Sequence, residues 1–127
     1  MTTWTSDELK KIGTAEELKI ASLPRNGTLR KPVTIWVVRV VDDLYIRSVY
    51  GRGSAWFRGV ERHHEGQIRA GGVAKDVMFL EEPDPSIDDQ IDDVYRTKYR
   101  RYAASIINSI ISPEARSATI KLVPRDG

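Results

Sequence analysis

The stretch "VTIWVVRVVDDLYIRSV", residues 33–49, decides how the chain is read. From Val33 to Val41 the side chains are apolar on both alternating faces apart from Thr34 and Arg39. A strand wetted on one side alternates apolar with polar, so this one reads as a central strand covered on both faces. Asp42 and Asp43 then supply a tight turn into "LYIRSV", which makes the stretch a β-hairpin.

Upstream, Thr5 and Glu8 have the spacing of a capping box, and Trp4 and Leu9 that of a hydrophobic staple. These signals predict a short helix over residues 6–12, stopped by Gly13. "LKIASL" has strand composition, and Pro24, Asn26 and Gly27 supply a turn before the central strand. Downstream, Trp56 and Val60 at i and i+4 predict a short helix that Gly66 stops. "QIRA" and "DVMFLE" read as strands joined at Gly71 and Gly72. Ile87, Ile91, Val94, Tyr95 and Lys98 trace one helical face, with Asp84 or Ser86 as cap and Pro85 in the first turn. Tyr102, Ile106 and Ile110 form a second stripe, Ser112-Pro113 interrupts it, and "ATIKLV" closes the chain as a strand. Helix, several strands, helix, strand is an α+β order: a small antiparallel barrel or sheet with helices outside.

The 127 residues suffice for one domain over 1–127 and bury roughly two-thirds of the surface that the unfolded chain exposes. No apolar run approaches the length of about 20 residues that spans a bilayer. The opening "MTTWTSDELKK" carries no secretory pattern, so a cytoplasmic location is expected. With no cysteine, disulfides, thiol nucleophiles and Cys-ligated zinc are excluded. The net charge of +2 is segregated. Residues 25–69 hold nine bases against four acids, and residues 81–93 hold seven acids and no base, so the basic middle points to an anionic partner.

Protein-side catalysis finds little support. His63 and His64 are adjacent and point apart on any regular element, so no metal site is expected. Asp88, Asp89, Asp92 and Asp93 read as the solvated N-terminal part of a helix. The connector "RSVYGRGSAWFRG", residues 47–59, is the stronger candidate. Arg47 and Ser48 end a strand, and Gly51 and Gly53 free the backbone. Ser54 stands at the N-cap position of the next helix, with Arg52 beside that helix's unpaired N–H groups. Such an array receives phosphate or carboxylate, and Arg30 and Lys31 at the entry of the central strand would join it. Trp36 is assigned to the core and Trp56 to the wall of a pocket.

Gly27, Leu29, Arg30 and Lys31, then Ser48, Gly51, Trp56 with Phe57, and Ile68 with Gly71, resemble the deazaflavin-dependent nitroreductase and quinone-reductase family. The resemblance runs from about Leu18 onward. Within that superfamily the chain looks most like a set of small bacterial proteins of unassigned function. The resemblance implies the split β-barrel shared with FMN-binding oxidases of the pyridoxamine phosphate type. It also implies FMN or a deazaflavin as cofactor, with Arg30 and Lys31 on its phosphate and Ser48, Gly51 and Trp56 lining its groove. A small organic acceptor, of nitro or quinone type, would be reduced by chemistry that belongs to the cofactor. Two alternatives stand beside this reading. One is a cofactor-free dimeric scaffold. The other is a small barrel that binds single-stranded nucleic acid with Tyr45, Arg47 and Trp56 exposed on one strand face. A homodimer is expected in any case, because Val37, Val38, Val40 and Val41 offer more apolar surface than one small core consumes.

Overall fold

The structure is a computed structural model that describes residues 3–22, 31–81 and 84–125. Helix α1 spans Ser6–Thr14 and strand β1 Leu18–Ser22; β2 is Val33–Ile35, β3 Val37–Val40 and β4 Asp43–Arg47. A 3-10 turn at Gly51–Gly53 leads into α2, Ala55–His63. Then follow β5 (Glu65–Ala70), β6 (Val73–Glu81), α3 (Pro85–Lys98), α4 (Ala104–Ile110), α5 (Pro113–Arg116) and β7 (Thr119–Pro124). The turn expected at Pro24–Gly27 lies outside the described residues.

All seven strands form one antiparallel sheet in the order β2-β1-β5-β6-β7-β4-β3. Its two edge strands, β2 and β3, are consecutive in the chain and separated by Trp36 alone. Ile35 therefore pairs with Leu18 on one flank, and two residues later Val37 pairs with Ile46 on the other. One bent segment nearly closes the sheet into a barrel, which leaves few unpaired strand edges.

This bend corrects the reading of Val33–Val41 as a single central strand. Two-sided burial is found in β3, but a helix supplies the second cover. Val37 enters the barrel core with Leu18, Ile46, Ile68, Phe79 and Leu122. Val38 and Val40 face outward into a second cluster, made with Tyr45 and with Ile91, Tyr95, Tyr99, Ile107 and Ile110 of the α3–α4 region. Val37, Val38 and Val40 are thus consumed within the chain, so the surplus apolar surface invoked for a homodimer is absent there; of the four, only Val41 is exposed.

Other expectations hold in type and shift in detail. The capping box forms in both directions, Thr5 N–H to Glu8 Oε1 at 2.9 Å and Glu8 N–H to Thr5 Oγ1 at 3.1 Å. Trp4 and Leu9 are both buried, and the Trp4 indole donates to the Leu122 carbonyl at 3.0 Å. Gly13 stays inside α1 instead of stopping it. The hairpin turn uses Val41 and Asp42, since Val40 pairs with Asp43, and Val41 sits at φ +56°, a strained position for a β-branched residue. Helix α2 ends at His63, capped by His64 in the left-handed region at φ +58°, and Gly66 belongs to β5. In α4 the buried positions are Ile107 and Ile110, while Ile106 is exposed and Tyr102 precedes the helix. Among the described residues no helix is long and apolar enough to cross a membrane.

Candidate functional site

Two adjoining cavities lie where the closing segment, the 48–56 connector and α4 meet. The larger, about 300 Å³, has Val33, Ile35 and Trp36 of the closing segment on one side and Ile106, Ser109 and Ile110 of α4 on another. Val49, Tyr50, Ser54 and Trp56 complete the wall, and Arg47 reaches it. Its lining is mostly apolar and aromatic, with a few polar groups, the usual make-up of a small-molecule site. The second cavity, about 210 Å³, is lined by Lys31, Ser22, Ala55, Trp56 and Val60 with neighbours on β1. Val33 and Trp56 belong to both.

The connector earns its shape locally. Gly51 donates its N–H to the Ser48 carbonyl at 3.0 Å and takes φ +73°, where a residue with a side chain is strained. Ser54 occupies the N-cap position of α2, as its sequence context predicts. Its hydroxyl, however, is engaged with the Ser48 hydroxyl at 2.8 Å and caps nothing. The first-turn N–H groups of α2 therefore lack a side-chain acceptor, at the rim where Ala55 and Trp56 line the smaller cavity. Lys31 lines the same cavity and makes no ion pair with any described residue. Arg30, Gly27 and Leu29 lie outside the described residues.

The arginines of the connector behave differently from expectation. Arg47, whose side chain is fully buried, has all five N–H donors engaged. Nε donates to Thr119 Oγ1 at 2.9 Å. Nη1 serves Asp92 Oδ1 and the Ile110 carbonyl, the latter at 3.2 Å. Nη2 serves the Asp88 carbonyl and Oδ1, both at 3.1 Å. A guanidinium has five donors and no more, so Arg47 has none left for a ligand. Its positive charge faces two carboxylates, and its effect is to fasten α3 and also α4, which walls the larger cavity, to the barrel. Arg52 pairs with Glu61 and Glu81, the Glu81 oxygen at 2.5 Å, and donates to the Ser117 carbonyl at 2.9 Å. The hydrogen bond to Glu81 is the main reason its guanidinium is held even above its normal range.

Sequence reasoning missed two features here. Asp92 is buried and Asp88 nearly so, against the reading of a solvated acid cluster. Only Asp89 and Asp93 face outward, paired with Arg116 at 2.8 Å and Arg96 at 3.0 Å. The i, i+4 spacing of Asp88 and Asp92, which puts both on the face that carries Ile91 and Tyr95, was the available signal. Trp36, assigned to the core, is half-buried. It stacks on Tyr99 at 3.8 Å between ring centroids and 4° between planes, and it also walls the larger cavity. Tyr45 and Arg47, required on the surface by the nucleic-acid reading, are each 2% exposed, which removes its stacking platform.

A family model described as "Uncharacterized protein conserved in bacteria (DUF2255)" matches residues 8–122. The chain belongs to the DUF2255 family. No curated protein matches the sequence. Among solved structures, a conserved hypothetical protein from Mycobacterium tuberculosis is similar with a TM-score of 0.70 at 9% identity, over 97% of this chain and 82% of that one. A FAD-binding protein from Mesorhizobium loti is similar with a TM-score of 0.56 at 16% identity, over 98% and 93%. A structure named F420 reductase is similar with a TM-score of 0.56 at 13% identity, over 92% and 90%. These similarities establish the fold of this DUF2255 chain as the α+β split β-barrel.

Proposed function

We propose that the joined cavities hold a flavin-type cofactor, FMN or a deazaflavin, and that the protein is a reductase for a small organic acceptor of nitro or quinone type. The observation that carries this reading is the junction at Trp56. An apolar cavity walled by two tryptophans, Trp36 and Trp56, adjoins a smaller one that combines Lys31 with the uncapped start of α2. A flat ring system with an anionic tail fits such a pair, the ring between aromatic and aliphatic walls and the tail at Lys31. The solved structures named FAD-binding protein and F420 reductase support it by sharing the fold.

Lys31 would meet the anion, with Arg30 just before it, and Ser54 and Trp56 would line the groove. Ser48 holds the Ser54 hydroxyl, Gly51 gives the connector its turn, Arg52 anchors that connector, and Arg47 holds the α4 wall. When bound, the cofactor would supply hydride chemistry, while the chain orients it and excludes water. Titrating the protein with FMN and with a deazaflavin should quench tryptophan fluorescence saturably for one of them. Lys31→Glu should weaken that binding about tenfold or more by setting a carboxylate against the anion. No saturable quenching with either compound would remove the cofactor assignment.

We also propose a homodimer, on a separate observation. Of the large apolar side chains exposed among the described residues, Val33, Val49, Tyr50 and Ile106 all rim the larger cavity. A second copy laid over this rim would cover them and shield the cavity from water. Sedimentation at low micromolar concentration should give twice the chain mass, and Tyr50→Asp should return it to one.

A further inference from the structure

The two indoles in the wall of the larger cavity have different neighbours. Trp56 touches the Phe57 ring, at 6.0 Å between centroids, and a phenyl ring is too hard to oxidise to carry an electron vacancy onward. Trp36 touches tyrosines instead: Tyr99 stacked at 3.8 Å, Tyr102 tilted at 4.9 Å and Tyr95 at 6.5 Å. An indole gives up an electron readily even while it keeps its proton, and a tyrosine nearby can replace that electron. Trp36 is therefore placed to pass an oxidation from the cavity into the cluster beyond it.

A phenol is oxidised at neutral pH only if its proton leaves with the electron, so the hydroxyl contacts decide which tyrosine ends the path. The Tyr95 hydroxyl is buried with no partner among the described residues. Tyr99 donates to carbonyls, Glu16 O at 2.7 Å and Val37 O at 3.2 Å, and a carbonyl does not keep a proton. Lys98 Nζ also stands 5.1 Å from the centre of the Tyr99 ring, against positive charge on it. Burial pushes both hydroxyls up from the ordinary tyrosine range. Tyr102 differs on each point. It is half-buried, and its hydroxyl donates to the Glu16 carboxylate at 2.7 Å. That carboxylate also pairs with Arg101, whose guanidinium lies 5.4 Å from the Tyr102 ring centre. The cation disfavours a charged Tyr102 ring, so the electron and proton leave together.

We propose that Trp36 and Tyr102 form an outlet for oxidising equivalents, which quenches a small organic peroxyl radical in the larger cavity before it attacks the lining. The radical takes one electron from the Trp36 indole and, with a proton from water, becomes a hydroperoxide. Tyr102 returns an electron to Trp36 and passes its hydroxyl proton to Glu16, which leaves a neutral phenoxyl radical at the surface. A thiol or ascorbate in solution then supplies one electron, Glu16 gives the proton back, and all three side chains are restored. The path needs no particular cofactor and stands apart from the flavin-type assignment.

Pulse radiolysis with azide radicals, which oxidise indoles selectively, tests the path itself. Indolyl absorption should decay into phenoxyl absorption at a rate independent of protein concentration. Trp36→Phe and Tyr102→Phe should each abolish that phase, while Tyr99→Phe should keep it. Glu16→Gln, which offers Tyr102 an acceptor but no base, should slow it about tenfold or more. A phase that survives Tyr102→Phe, or that ignores Glu16→Gln, would overturn the proposal. Peroxyl radicals from a water-soluble azo initiator test the cavity end, read by peptide mass spectrometry. Oxidation should fall on Tyr102 in the unaltered protein, and Tyr102→Phe should raise oxidation of Trp36 several-fold. Equal oxidation of Trp36 in the two proteins would overturn the protective role.

Discussion

Replacing Arg47 with alanine is expected to lower the free energy of unfolding by about 3–5 kcal/mol, the range for breaking a buried ion pair from one side. The substitution leaves Asp92, which is 6% exposed, with only a long 3.8 Å contact to Arg116, and leaves Asp88, Thr119 and the Ile110 carbonyl without their shared donor. The mutation should also release α4 from the barrel and open the larger cavity, so any ligand bound there should be lost with it. Urea unfolding measures the first effect. A double-mutant cycle separates the second cause from mere loss of bulk: Arg47→Met with Asp92→Leu should recover much of the stability, because an apolar pair of similar volume leaves less buried charge unmatched. If Arg47→Ala costs less than about 1 kcal/mol, comparable to an exposed pair, the clamp described here is wrong.

Gly66→Ala is the second large effect, expected at about 3 kcal/mol or beyond as overpacking of a closed barrel. A methyl group at Gly66 would stand 2.1 Å from the Ala21 carbonyl oxygen and 2.9 Å from Phe79 Cε2. Relief would require β1 to move away from β5, yet Ser22 pairs with Gly66 and Gly66 with Val77 across the same three strands. Gly53→Ala provides the contrast, with nothing within 4 Å of the added carbon and no left-handed backbone to strain. Thermal unfolding of the two variants should differ by several degrees; equal midpoints would mean that the barrel yields at this point.

Much of the candidate site was legible because its signals are local. Ser54 at the start of α2, Gly51 in the turn before it, and Trp56 in the first turn of the helix occupy the positions that their own neighbours in the chain imply. Lys31 was found as a cation at a strand entry, and the structure brings it to the same cavity as Trp56. Trp36 and the α4 residues were not found, since what makes them part of a cavity is their meeting across more than 60 residues of chain. The arginines show the same limit: their charge was visible, while the acids that absorb it, 45 residues away for Arg47 and 29 for Arg52 and Glu81, were not.

The amino-acid sequence alone determined the elements whose energetics close within a few residues. These are the capped first helix, the β3–β4 hairpin, the Gly71–Gly72 connection and the amphipathic α3, each set by caps, turn residues or periodicity. Tertiary structure decided the bend at Trp36, which makes one apolar run serve both edges of the sheet, and the inward turn of Asp88 and Asp92 onto Arg47. A strand pattern reports that both faces are covered without naming the cover, and a charge reports its sign without its partner. Both are settled only when distant segments compete for the same buried volume.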